Sequence, residues 1–246
     1  MEEQKIGNEN ENSNKIIEFS HVSKHYKYDG GVIKALDDVS FTIDEGELVI
    51  VLGDSGAGKS TALNILGGMD SLTHGEVIVD GKHINKMKEE ELTKYRRNDI
   101  GFVFQFYNLV QNLTVLENVE LATQITKNPF VPEEILDKVG LKNRINNFPG
   151  QISGGEQQRA SIARAICKNP RILLCDEPTG ALDYKTGKLI LELLQDINKT
   201  YNITVIIVTH NSLIKGIGNK IIHFKSGKVD DIIINKNIEE AKDLEW

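Results

Sequence analysis

The sequence predicts an α/β fold on a mainly parallel core sheet, and three observations carry that expectation. The apolar run Leu48-Val49-Ile50-Val51-Leu52 leads directly into Gly53-Asp54-Ser55-Gly56-Ala57-Gly58-Lys59-Ser60-Thr61, where a buried strand must turn into a helix. Two more short apolar runs, Ile172–Cys175 and Thr204–Val208, have strand character. Between them Leu189, Ile190, Leu193, Leu194 and Ile197 recur at helical spacing over roughly 184–199. Buried strands alternating with amphipathic helices are the pattern of a parallel sheet covered on its faces.

The remaining elements follow in chain order. Residues 16–52 read as three strands: Val39, Phe41 and Ile43 alternate with polar neighbours, and Glu45-Gly46-Glu47 turns the chain into 48–52. A helix over 59–66 stops at Gly67-Gly68. Val77–Val79 followed by Asp80-Gly81 predicts a strand and a hairpin turn. The charged stretch Lys88–Arg97 predicts a helix, and Ile100–Phe104 a short strand ending at Gln105. From about 106 to 168 the pattern is helical, with capping-box spacing at Thr114/Glu117 and Ser153/Glu156. Ile221–Phe224, Ser226-Gly227 and Val229–Ile234 predict a closing hairpin, and no segment repeats another.

Bulk properties narrow the class. With 246 residues, 39% apolar and 26% charged, the chain has an ordinary globular composition. A chain of this size buries roughly three quarters of its unfolded surface and needs no staple. Cys167 and Cys175 are its two cysteines, expected as reduced, partly buried thiols of a cytoplasmic protein. Residues 1–15, rich in Asn, Glu and Lys and lacking a signal-peptide core, are expected as a disordered tail. No apolar run approaches the ~20 residues of a membrane span, so a membrane role implies a partner chain. A net charge of −7 without a long basic run argues against nucleic-acid binding.

Three motifs carry chemistry. Residues 53–61 match G-x-x-x-x-G-K-[ST]: glycines let backbone N–H groups curl around an anion, the helix dipole points there, Lys59 reaches the β- and γ-phosphates, and Ser60 offers a hydroxyl to Mg²⁺. Asp176-Glu177 follows a short apolar strand, at the edge where α/β sheets bind ligands. Asp176 suits the carboxylate holding Mg²⁺, and Glu177 the base that orients and deprotonates water. In Ser153-Gly154-Gly155-Glu156, two glycines open a helix at a cost of roughly 1 kcal/mol each against alanine. That cost makes sense where the helix start approaches something closely, as a second anion site would require.

Together these residues resemble the nucleotide-binding subunit of ATP-binding cassette (ABC) transporters, over about 16–234, with the signature present as Ile152-Ser-Gly-Gly-Glu156. The resemblance implies a P-loop NTPase core with an N-terminal antiparallel β region and an inserted helical subdomain over about 106–160, in a single ATPase domain spanning 16–234, followed by a tail at 235–246. It implies that residues 53–61 bind MgATP and that Tyr26 stacks on adenine. Gln105 would sense the γ-phosphate and contact Mg²⁺ or water, and Asp183 would line a dimer interface. His210 would bond the γ-phosphate, and Ser153, Gly154 and Gly155 would complete the site of a second copy. The implied partners are a second copy and an integral-membrane permease in separate chains, at the cytoplasmic face of the membrane.

Gln151–Arg159, Asp176–Asp183 and Gly101–Leu109 look like the branch serving lipoprotein release, macrolide export and antimicrobial-peptide resistance, which implies export or extraction. Ile152, Glu156 and Asn211 depart from the usual Leu, Gln and acidic residue, and none of them removes a reacting group. A regulatory cassette acting through a membrane partner, and a soluble cassette, share every one of these motifs. A GTPase does not, because Asn198-Lys199-Thr200-Tyr201 lacks the acid that would read guanine. His25-Tyr26-Lys27-Tyr28 offers two aromatics to the adenine role, while the remaining histidines show no metal-ligand spacing.

Overall fold

The computed structural model describes residues 14–244. The tail expected over 1–15 lies outside them, except for Asn14 and for Lys15, which opens the first strand. Strands β1 (Lys15–Tyr28) and β2 (Gly31–Asp44) form a long antiparallel pair, and β3 (Leu48–Leu52) runs into α1 (Lys59–Leu66). Next come β4 (His74–Val79), β5 (Lys82–His83), α2 (Glu89–Asn98) and β6 (Ile100–Val103). A helical stretch follows, with α3 (Val115–Thr123), α4 (Pro132–Lys138) and α5 (Gly154–Ile166). The chain then passes through β7 (Ile172–Asp176), α6 (Tyr184–Tyr201), β8 (Thr204–Thr209), β9 (Lys220–Lys225) and β10 (Lys228–Ile234).

These strands make two sheets. One is antiparallel, in the order β2-β1-β4-β5; the other has the order β10-β9-β3-β8-β7-β6 and is parallel except for the closing hairpin. The α/β class with a mainly parallel core is therefore as expected. The central strands β3, β7 and β8 are apolar along most of their length because both faces are covered. On β3, Leu48, Ile50 and Leu52 face the helices, whereas Val49 and Val51 face α1 and the antiparallel sheet. Burying each such side chain contributes about 1.5–3 kcal/mol. Lys220 ties the two sheets, donating to Thr42 O at 3.0 Å and Glu47 Oε2 at 2.8 Å.

Parallel register decides where chemistry collects. Leu52 pairs with Thr209, Asp176 with Val208, and Val103 with Cys175. The carboxyl ends of β3, β6, β7 and β8 thus share one edge, and residues 53–61, Gln105, Asp176-Glu177 and His210 leave the sheet together there.

The segment expected as a tail at 235–246 is instead docked over its described part. Ala241–Asp243 forms a 3₁₀ turn that buries Ala241 and Leu244 against α6. Gln195 of α6 brackets it, donating to Glu239 O at 2.9 Å and accepting from Ala241 N at 3.0 Å. Both cysteines are buried and free, and burial pushes both thiols up, that of Cys167 to about 12, so neither is poised to react.

Candidate active site

The shared edge encloses a cavity of about 790 Å³ lined by Tyr26, residues 54–61, Gln105, Asp176, Glu177 and His210. Of the predicted residues, Gly53 lies just behind this wall, and Ser153, Gly154, Gly155 and Asp183 lie off it. Of the two tyrosines, Tyr26 lines the cavity and Tyr28 is not among its lining residues.

The loop between β3 and α1 is closely fitted to the sheet. A Cβ on Gly53 would stand 2.3 Å from Phe224 O, and one on Gly58, whose φ is 101°, 2.4 Å from Ala35 O. Gly58, the N-cap of α1, makes no side-chain capping bond, and the first turn of the helix, Lys59–Thr61, lines the cavity, the placement an anion site needs. Lys59 is buried, with its ammonium donating to Gly53 O at 2.7 Å and Asp54 O at 2.9 Å. An ammonium has three protons, so one remains for a ligand.

Across the loop, Ser60 Oγ donates to Asp176 Oδ1 at 3.0 Å. Burial raises the Asp176 carboxyl above the usual range and the neighbouring Glu177 adds to this, while the Ser60 bond opposes it. Glu177 adopts φ 47°, a left-handed conformation rare for such a residue. Its N–H donates to Val208 O at 2.9 Å, which pins the backbone while the side chain turns out of the strand line. The carboxylate then receives Thr209 Oγ1 at 3.0 Å and meets His210 Nδ1 at 2.8 Å. The Gln105 amide rests against Gly180, where an added Cβ would lie 3.1 Å from its Nε2.

The start of α5 is a full capping box: Ser153 Oγ accepts from Glu156 N at 3.3 Å, and the Glu156 carboxylate accepts from Ser153 N at 2.8 Å. The Ser153 backbone bond and Arg144 hold the Glu156 carboxyl down at about 2. The paired glycines meet this same chain first. A Cβ on Gly155 would stand 2.3 Å from Thr186 Cγ2, and one on Gly154 2.7 Å from the Tyr107 hydroxyl. Asp183 caps the same turn of α6, accepting from Thr186 N at 3.1 Å. Ser153 and Asp183 therefore sit on adjoining elements, away from the cavity. Asn211 likewise caps, accepting from Leu213 N at 3.0 Å as an acid would.

Several supporting residues were not legible in the sequence. Gln158 is fully buried and donates to Pro178 O at 2.9 Å and Phe104 O at 3.4 Å, joining α5 to the strand ends that carry Glu177 and Gln105. Arg164 donates to Asn108 O at 2.7 Å and Tyr107 O at 3.1 Å, holding the segment after Gln105. Thr209 is the third. Only the adjacency of Thr209 to His210 hinted at any of them.

Residues 36–180 match the family model described as ABC transporter. The chain belongs to that family. This cassette is 46% identical over 224 residues to the uncharacterized ABC transporter ATP-binding protein MJ0796 of Methanocaldococcus jannaschii, covering 87% of this chain and 95% of that one. It is 38% identical over 234 residues to a putative ABC transporter ATP-binding protein of Mycoplasma pneumoniae, the MG065 homolog, and spans only half the length of that relative. Among solved structures, the MJ0796 cassette dimer in a post-hydrolysis state with ADP and Pi matches with a TM-score of 0.81 at 43% identity, over 89% of this chain and 98% of that one. CbiO1 of Clostridium perfringens, part of the transporter complex cbiONQ, matches with a TM-score of 0.79 at 27% identity, over 89% and 88%. As an ABC ATPase the cassette binds and hydrolyses ATP, and among its described residues no helix is long and apolar enough to cross a membrane.

Proposed function

We propose that two copies of this cassette close on two ATP molecules, hydrolyse them, and power a separate integral-membrane permease from the cytoplasmic face, for export or extraction of a peptide, lipoprotein or drug-like substrate. The observation that carries the dimer is the split site. Lys59, Asp176, Glu177 and His210 line one cavity, while the Ser153 helix start and Asp183 lie outside it, available to a second copy. Closure then adds Ser153–Gly155 of one copy to the phosphates held by the other, completing the site only when both are loaded.

In this reading the 53–61 loop and the N-terminus of α1 cradle the phosphates, Lys59 supplies the charge, and Tyr26 stacks on the base. Glu177 accepts the proton of a water whose oxygen bonds to the γ-phosphorus as the bond to the bridging oxygen breaks and ADP leaves. His210 exchanges Glu177 for the γ-phosphate, which frees Oε1 to receive that water. A hydroxyl beside a buried carboxylate of raised proton affinity suits a hard divalent cation, so Ser60 and Asp176, with Gln105, would hold Mg²⁺. The metal would supply charge neutralisation at the β- and γ-oxygens. The helical segment of about 106–160 would carry closure to the permease. Likeness to the exporter branch is what supports the choice of permease and the outward direction.

The test is Glu177→Gln. It should retain ATP, lose about 10²–10⁴-fold in turnover, and accumulate as a dimer with MgATP in size-exclusion chromatography. Normal phosphate release would remove Glu177 as the base, and a monomer at saturating MgATP would remove the split site.

A further inference from the structure

The Tyr26 ring is fastened by a pair of charges that none of the motifs contains. Lys24 is a cation buried on β1, and its ammonium donates to Asp70 Oδ1 and to Ser71 O, both at 2.5 Å. The same ammonium stands 4.8 Å from the centroid of the Tyr26 ring. The second oxygen of Asp70 accepts from the Tyr26 hydroxyl at 2.6 Å. Asp70 belongs to the turn leaving α1: Met69 N and Asp70 N donate to Asn64 O at 2.8 and 3.2 Å, and Asp70 Oδ1 accepts from Ser71 N at 2.7 Å.

The position of Tyr26 makes such a tether necessary. Pairing of β1 with β4 ends at Ser23↔His74, so Tyr26 lies on a two-stranded ribbon with β2 alone, opposite Ile33. A two-stranded ribbon has little stability of its own. The ring is 40% exposed at the rim of the cavity, with one face under the Lys24 ammonium. Left to itself, such a side chain would sample several rotamers, and each binding event would have to order it.

We propose that Asp70, held in place by Lys24, is a positioning residue that fastens the Tyr26 ring to the carboxyl end of α1, so that the base platform and the phosphate-binding loop at the opposite end of α1 act as one rigid body. This inference rests on the reading of Tyr26 as the base-stacking residue. It differs from a purely structural role for Asp70 in one measurable respect. Loss of the tether weakens ligands that carry a base and spares those that carry phosphates alone.

The experiment compares dissociation constants of the full chain for ATP and for inorganic tripolyphosphate, both with Mg²⁺. Tyr26→Phe removes the hydroxyl and keeps the ring, and Tyr26→Ala removes both. Lys24→Met with Asp70→Leu exchanges the ion pair for apolar groups of similar bulk, a replacement that proteins often tolerate. Tyr26→Phe and the double exchange should each weaken ATP about threefold, and combining them should add nothing, as expected of residues that act as one unit. Tyr26→Ala should weaken ATP about tenfold, the loss of a stacking contact, and tripolyphosphate should stay within about twofold of the native value throughout. If Tyr26→Ala weakens ATP but Tyr26→Phe and the double exchange do not, the tether is wrong and base stacking stands. If the double exchange weakens both ligands alike, the ion pair serves α1 and not the base. ATP binding unchanged in Tyr26→Ala would overturn stacking and tether together.

Discussion

The Nδ1 atom of His210 lies 2.8 Å from Oε1 of Glu177, while Thr209 Oγ1 donates to Oε2 of the same carboxylate at 3.0 Å. Adjacent residues leaving β8 thus engage both oxygens of a group that leaves β7. The parallel register of β7 and β8 makes this possible, since it brings both strand ends to one edge. Thr209 is buried and also accepts from Asn211 N at 3.1 Å, so its hydroxyl is directed at Glu177. A hydrogen bond to a charged group contributes about 1.5–3 kcal/mol, against roughly half that for a neutral pair.

Thr209→Val should therefore lower the turnover number about tenfold, the effect of roughly 1.4 kcal/mol lost from the aim of the base. His210→Ala should cost more, about 10²–10³-fold, as removal of a donor to developing charge does. Steady-state phosphate release measures both. Native turnover in Thr209→Val would mean that the Thr209 hydroxyl plays no part in aiming Glu177, leaving His210 and the backbone to orient it.

Asp176 is a carboxylate that burial and the nearby Glu177 make reluctant to ionise. Its charge at neutral pH opposes folding until a cation or phosphate-bound metal arrives. Asp176→Asn should raise the melting temperature of the nucleotide-free chain by about 2–4 °C, the shift that ~1 kcal/mol produces in a domain of this size. The same variant should lose the further rise that MgATP produces in the native chain. Scanning calorimetry with and without MgATP reads both, and an unchanged nucleotide-free melting point would contradict the cost assigned to this buried charge.

Glu156 closes the capping box at the start of α5, its carboxylate accepting from Ser153 N at 2.8 Å. The Ser153 backbone bond and the Arg144 guanidinium hold its carboxyl down at about 2. A carboxyl lowered in the folded state contributes stability above its unfolded value of about 4.3, and that contribution disappears as pH falls toward 2. Glu156→Gln keeps the capping geometry but titrates nothing. At pH 7 it should cost about 0.2–1 kcal/mol, and its melting temperature should fall less steeply than the native one between pH 4.5 and 3. Parallel curves would mean that the Ser153 backbone bond and the Arg144 contact do not hold this carboxyl down.

The docked carboxyl segment should behave as part of the core. Leu244 is buried beside α6, and its carbonyl accepts from Lys188 Nζ at 2.9 Å. Leu244→Ala should destabilise by about 2–5 kcal/mol, as truncation of buried leucines does. Urea unfolding with an unchanged slope checks this, whereas a loss below 0.5 kcal/mol would make the segment a passive flap.

What the sequence by itself determined was the local chemistry and the order of elements. The phosphate-binding loop at 53–61, the Asp176-Glu177 strand end and the Ser153 capping box are contiguous, and each needs a strict spacing that short-range physics enforces: strand, glycine turn, helix start. Apolar runs on both faces of 48–52, 172–175 and 204–208 made a covered parallel sheet readable for the same reason. Only the tertiary structure decided which distant groups meet. The Gln158 links to Phe104 and Pro178, the Arg164 grip on the segment after Gln105, the Lys24–Asp70–Tyr26 tether and the docking of Ala241 and Leu244 join residues with no common spacing. Such contacts arise from the register of strands and the packing of helices, so their partners are set by geometry across the core and leave no pattern along the chain.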